Sequence, residues 1–315
     1  MAKTPMKRSI FRIFLAGCAI VSMAAPVQSY ATTIYAIMSS DQPRYREAHR
    51  AFVKSIATHG YKAPSTEIIL QTPNSDRLSW TSEIRKLNSS RPDLVVTYGA
   101  PASLAAVRES AAIPVVSVDV FSPEQPLKGV CGVSSRVSMV TLLKTLLAIR
   151  PYQRIGVLYS PREFGSQQQL DDVKKFAAKL GITVLEGCVS SPAALDSELK
   201  RLFENCEAIV VTEGGIFGQQ FERIIARSKA RKIPIAATMP DAAEKGAIVS
   251  LEINPQEQGY LAAEMAVRVL EGAKTRHLPL VPPHRIDLVI NMRRAREIGI
   301  EVPFAVLRSA TRLIK

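Results

Sequence analysis

The chain has 315 residues, room for two domains of ordinary size, and 47% of them are hydrophobic, enough to fill two cores. Of its formal net charge of +13, Lys3, Lys7, Arg8 and Arg12 carry four, which leaves +9 on the remainder. No helix-turn-helix pattern, zinc-ligand spacing or dense basic stripe with aromatics accompanies this excess, so it reads as a basic solvated surface rather than a nucleic-acid footprint.

Residues 1–31 have the order of a secretory signal peptide. A basic start leads to an apolar stretch over 13–26, and Ser29-Tyr30-Ala31 puts small residues at −3 and −1. The apolar run is shorter than the roughly 20 residues of a spanning helix. Leu15-Ala16-Gly17-Cys18 also matches a bacterial lipoprotein box. Against lipidation, only residues 13–17 separate Arg12 from that cleavage point, and the segment after Cys18 is apolar, unlike a solvated tether. The expectation is soluble export to the periplasm with a mature start near Thr32; a lipid anchor on Cys18 is the alternative.

Beyond the signal, strand and helix alternate. A strand over 33–38 precedes a helix over 42–59, whose Ala48, Phe52, Ile56 and Ala57 share a face and which Gly60 ends. A strand over 67–71 and an amphipathic helix over 77–88 follow. Trp80 sits among polar neighbours on that helix and is expected to lie away from any cleft. Next come the strand of DLVVTYGAPAS (93–103), a helix to Glu109, and the strand IPVVSVDV from Ile113. Residues 117–128, with Pro123 and Pro126, read as a crossing, 129–133 as a short strand or turn, and 134–149 as a helix. The pattern then repeats. Arg154 lies 121 positions beyond Thr33, Gly181 lies 121 beyond Gly60, and Pro234 lies 120 beyond Pro114. EAIVVTEGGIFG (207–218) echoes DLVVTYGAPAS. A period this long suggests two similar lobes rather than a solenoid. After Gly246 come a strand (AIVSLEIN), a long helix ending at Gly272, a Pro-rich link, a strand over 286–291 and a helix start at Met292.

The fold class expected is α/β: two Rossmann-like parallel-sheet lobes with right-handed crossovers, joined by a three-strand hinge. The crossings fall near 118–121, 238–249 and 277–284. They divide the chain into a first lobe of 32–119 plus 250–278 and a second of 120–249 plus 279–315. Cys131, Cys188 and Cys206 leave at least one free thiol. A Cys188–Cys206 bridge is possible in principle, but small buried thiols are the preferred reading.

The landmarks YGAPAS (98–103), GVCGVSS (129–135), RIGVLYSPREFGS (154–166), VVTEGG (210–215), KGAIVS (245–250) and INMRRAREIGIEVP (290–303) stand in one order across the exported chain. Together they resemble the type I periplasmic binding proteins of ABC importers, and within them the family that includes tryptophan- and tyrosine-import binding proteins. The chain departs from that family at cleft-facing positions. Thr212-Glu213-Gly214 stands for the usual Thr-Asp-Asn, Ser160-Pro161-Arg162-Glu163 for Asn-Pro-Ser-Glu, and the surroundings of Thr238-Met239 for a Ser-Asp pair. The resemblance implies a solute-capture protein that presents a small molecule, an amino acid or similar and aromatic ones included, to permease and ATPase subunits in the membrane. A monomer is expected, with no nucleic-acid partner. A ligand-sensing or accessory protein using the same clamshell is the alternative. A repressor core of similar architecture is disfavoured because a signal peptide, not a DNA-binding domain, precedes the lobes.

Polar residues at the carboxyl ends of parallel strands face the crevice between lobes. In the first lobe these are Ser39, Ser40, Asp41, Thr97, Gly99, Ala100, Ser103 and Asp119. In the second they are Ser160, Glu163, Ser166, Thr212, Glu213 and Met239. Helix starts after Ala100 and Glu163, beside the hydroxyls of Ser103 and Ser166, would cradle a carboxylate. Glu213, or Asp119 at the hinge, would pair with an ammonium group. Ser103 and Ser166 read equally well as helix caps, Glu213 as a loop acid, Asp119 as a turn residue, and Tyr98 as strand-end packing. No histidine stands at a strand's carboxyl end and no nucleophile elbow, P-loop or metal pair occurs, so neither catalysis, a metal nor a cofactor is expected.

Overall fold

A computed structural model of the chain describes Met1 and residues 31–110, 113–121 and 130–315. The signal peptide and lipoprotein box, and most of the 117–128 crossing, lie outside the described residues. In chain order the first lobe contributes β1 (Thr32–Met38), α1 (Pro43–Thr58), β2 (Thr66–Gln71), α2 (Arg77–Ser90), β3 (Leu94–Tyr98), α3 (Ala100–Glu109), β4 (Val115–Val120) and β5 (Cys131–Ser134). The second contributes α4 (Met139–Ile149), β6 (Arg154–Tyr159), α5 (Phe164–Ala178), β7 (Thr183–Cys188), α6 (Leu195–Asn205), β8 (Ala208–Val211), α7 (Gly215–Arg231), β9 (Ile235–Ala237), α8 (Ala242–Lys245) and β10 (Val249–Ile253). The chain returns through α9 (Pro255–Leu270) and β11 (Leu280–Val281), then ends with β12 (Ile286–Asn291), α10 (Met292–Glu297), α11 (Phe304–Ser309) and β13 (Arg312–Ile314).

Two sheets result, with orders β11-β5-β4-β3-β1-β2 and β13-β12-β10-β9-β8-β6-β7. Their central strands are covered on both faces: β3, β4 and β8 are buried along their whole length. That is why they read as continuous hydrophobic runs, since helices cover both sides of a parallel sheet.

Sheet membership moves the expected lobe boundaries. The 131–134 strand pairs with β4 of the first sheet, not with the second lobe. The 249–253 strand pairs with β9 and β12 of the second sheet, not with the first lobe. The chain therefore crosses over 135–138, at Asn254, and over 282–285. The first two crossings were expected elsewhere, because a single strand added to a sheet edge carries no lobe-specific pattern. Asp119 accordingly lies within the last two residues of β4 rather than in a crossing. β10 also pairs with β12 antiparallel. β10 runs toward the crossing and β12 comes back from it, so the two must oppose each other. Ser134, expected as a helix start, ends β5, and Ser138 caps α4 by accepting from Thr141 N–H.

Gly60 and Gly181 follow their helices with φ of 94° and 68°, as left-handed closing residues. Cys131 and Cys206 are buried and Cys188 is exposed; all three are free thiols. Burial pushes the Cys131 and Cys206 thiols up to about 11, which keeps them protonated.

Candidate functional site

Two adjoining cavities lie between the lobes at the carboxyl ends of the strands. The larger, about 500 Å³, is bordered by Ser39, Ser40, Gln42, Tyr45 and Trp80 of the first lobe and by Ser160, Glu163 and Ile216 of the second. The smaller, about 240 Å³, is bordered by Arg44, Ala100 and Asp119 on one side and Glu163, Phe164 and Glu213 on the other. Tyr45, Arg77, Trp80, Pro101, Arg162 and Glu163 border both.

The structure sorts the expected residues into three groups. Ser39, Ser40, Ala100, Asp119, Ser160, Glu163 and Glu213 border these cavities. Thr97, Gly99, Ser103, Ser166 and Thr212 border neither; they lie just beneath the floor and fix it. Thr97 Oγ1 and Ser103 Oγ are 2.8 Å apart, and Ser103 Oγ also donates to the Gly99 carbonyl. In the second lobe Ser166 Oγ and Thr212 Oγ1 are 2.6 Å apart, and Ser166 Oγ accepts the Ser160 N–H. All four side chains have no exposure. Each lobe thus spends a Ser–Thr pair on tying a strand end to a helix start. Gly99 has no room for a side chain, since a Cβ there would stand 2.4 Å from the Tyr45 hydroxyl. Met239, with Asp41, borders a separate hollow on the far side of Arg44.

The charged centre joins the lobes. Arg44, on the first turn of α1, lies 3.1 Å from Asp119 through Nε and Oδ2, and its Nη2 donates to the Tyr45 hydroxyl at 3.0 Å. Asp119 holds a left-handed backbone, φ 57°, a conformation a non-glycine residue adopts at a cost and which clusters at ligand sites. Across the gap, Glu213 reaches Ser135 at 3.4 Å, and its N–H donates to Gln169 Oε1. Burial opposes the Arg44 charge, but Asp119, Tyr45 and Glu213 together raise its pKa. Burial pushes the Glu213 carboxyl up to about 8; Arg44 pulls it down, while Asp119 and Glu163 add to the rise. Burial also raises Glu163, opposed by the Gly215 N–H that its carboxylate accepts.

Arg44, Tyr45, Trp80 and Gln169 were not among the expected site residues. Trp80 corrects the sequence reading: it borders both cavities, with Nε1 donating to the Ser39 carbonyl at 3.1 Å. The available signal was positional. The first turn of a helix that follows a strand's carboxyl end stands over the same crevice as the strand end, and Arg44 and Arg77 both lie in such turns. Among the described residues no group of three His, Cys, Asp or Glu could hold a metal ion, and no helix is long and apolar enough to cross a membrane.

Comparison with known proteins places this geometry. The sequence model of the family described as ABC transporter substrate binding protein matches residues 33–314. A tyrosine-binding protein of Clostridioides difficile is 25% identical over 262 residues, covering 80% of this chain and 76% of that protein. A Streptococcus pneumoniae ABC domain solved in complex with L-Trp is 25% identical, with a TM-score of 0.84, covering 90% of this chain and 99% of that one. A Bacillus halodurans solute binding protein with bound myo-inositol, 16% identical at a TM-score of 0.63, covers 84% and 96% of the two chains and shares the fold. The two-lobed type I periplasmic binding protein architecture and the family match agree, and the chain belongs to the ABC transporter substrate binding proteins.

Proposed function

We propose that this chain is an exported capture protein of an ABC import system, that it closes on an amino acid, and that it presents the closed form to permease and ATPase subunits. The observation that carries the ligand reading is the opposition of carboxylates. Asp119 of the first lobe and Glu213 of the second face one cavity of about 240 Å³. Near them Arg44 is the paired cation, against three carboxylates counting Glu163. Asp119 and Glu213 offer carboxyl oxygens from both lobes to which an ammonium group would donate, favouring the ionised form of Glu213. Trp80, Pro101 and Ile216 give the adjoining cavity an apolar wall suited to a side chain. The tyrosine-binding relative and the L-Trp complex support an aromatic amino acid. Contacts from both lobes to one ligand give it a higher affinity for the closed state, which is what couples binding to closure.

The test is a thermal-shift screen of the purified chain against amino acids, small peptides, purines and organic anions. A ligand that binds only the folded state raises the midpoint with the logarithm of its concentration. Stabilisation by amino acids, strongest for aromatic ones, is expected. Stabilisation only by purines or by anions without an amine would overturn the reading.

A further inference from the structure

The carboxylate end of such a ligand needs a partner, and several of the donors expected to supply one are occupied. Ser103 and Ser166 face inward onto Thr97 and Thr212. The Ala102 N–H is donated to Ser39 Oγ at 3.0 Å, and the Gly215 N–H to Glu163 at 2.9 Å. Arg44 is already held by Asp119 and Tyr45.

Three guanidinium groups remain at the cavity walls: Arg108 borders the smaller cavity alone, whereas Arg77 and Arg162 border both. Arg77 begins α2 in the first lobe, and Arg162 lies in the turn before α5 in the second. Both border both cavities and both are exposed. Among the described residues neither has a hydrogen-bond or ion-pair partner. The carboxylates beside them are committed elsewhere. Asp76 accepts from Ser79 N–H and Oγ at 2.9 and 2.7 Å, and Glu163 accepts from Gly215. Arg77 and Trp80 stand three residues apart on one helix and share a face, so the charge lies beside the apolar wall. The cleft therefore holds carboxylates grouped around Arg44 and, on its walls, arginines that no carboxylate engages.

We propose that Arg77 and Arg162, drawn from opposite lobes, together hold the carboxylate of the bound amino acid, and that Arg162 is a specificity-determining residue selecting carboxylates over their neutral analogues. This rests on the amino-acid reading above. A guanidinium offers paired donors matched to the two oxygens of a carboxylate, and charge-assisted bonds of this kind are the strong ones. A carboxylate gripped from both sides would also latch the lobes together.

The experiment is calorimetric titration of the full chain and of Arg77→Ala/Arg162→Ala with L-tyrosine, L-tryptophan, L-tryptophanamide and tryptamine. Wild type is expected to favour L-tryptophan over its amide and amine by about 10- to 100-fold, the worth of a charge-assisted pair. The double variant is expected to discriminate less than about threefold, with its unliganded melting temperature within about 2 °C of wild type, as suits exposed positions. Arg162→Lys should keep part of the discrimination, because an ammonium supplies charge without the fork. Undiminished discrimination in the double variant overturns this inference and leaves the amino-acid reading standing. So does a wild type that binds acid, amide and amine equally. A wild type that binds none of the four overturns both.

Discussion

Glu213 is the residue on which the electrostatics of the cleft turn. Its carboxyl, raised to about 8 first by burial and then by Asp119 and Glu163, is held protonated when the cleft is empty. A group whose native pKa lies above its unfolded value near 4.5 contributes stability that is complete below pH 4.5 and lost as pH rises through about 8. An ammonium ligand reverses this preference by favouring the ionised form. Affinity for an amino acid should therefore rise between pH 6 and 8, by at most about tenfold per unit, and Glu213→Gln should flatten that rise; titration calorimetry across the range reads it directly. Gly165 sets the space for this residue. A Cβ there would stand 2.0 Å from Glu213 Oε1 and 2.7 Å from the Phe121 Cβ of the opposite lobe. Gly165→Ala is expected to lower affinity at least tenfold, since a 1 Å displacement at a binding constellation carries that cost, while circular dichroism shows a native fold. At Asp119, Asn tolerates the left-handed backbone and Ala does not. Both substitutions should weaken binding, but only Asp119→Ala should add strain to the unliganded protein, measurable as a lower urea midpoint.

Among elements, the packing of α9 on α1 ties the returning chain to the first lobe. Gly259 makes the approach close: a Cβ there would stand 2.2 Å from the Ala48 carbonyl oxygen and 2.7 Å from the Ala51 Cβ. Gly259→Ala should destabilise the protein by about 1–3 kcal/mol, as overpacking does, and the denaturant midpoint measures it. The strands, their order along the chain and the strand-end polar positions were legible because buried parallel strands and amphipathic helices carry different periods. What was not legible is where a side chain turns. A serine in the first turn of a helix can face the crevice or lock the strand beneath it, and Ser103 and Ser166 both do the second. Arg44, Arg77 and Trp80 were missed for the converse reason. On a helix they look like a solvated face, and only the placement of the helix start over the strand ends brings them to the cavity. The membership of β5 and β10 was hidden because pairing partners are set by the crossings, not by the strands' own residues.

At the scale of the molecule, the duplicated α/β pattern, the three crossings and the shared gap make one device. Both lobes contribute charged groups to one space, and a ligand that satisfies both stabilises their closed arrangement. The cross-lobe approach is close: a Cβ on Gly215 or Gly218 would stand 3.2 or 3.0 Å from Gln42. The most direct test is a crystal structure of the chain with the amino acid that gives the largest thermal shift. The account predicts density between the lobes, with the ammonium within hydrogen-bond distance of Glu213 or Asp119 and the side chain against Trp80. Density on the outer surface, or contacting one lobe alone, would contradict it.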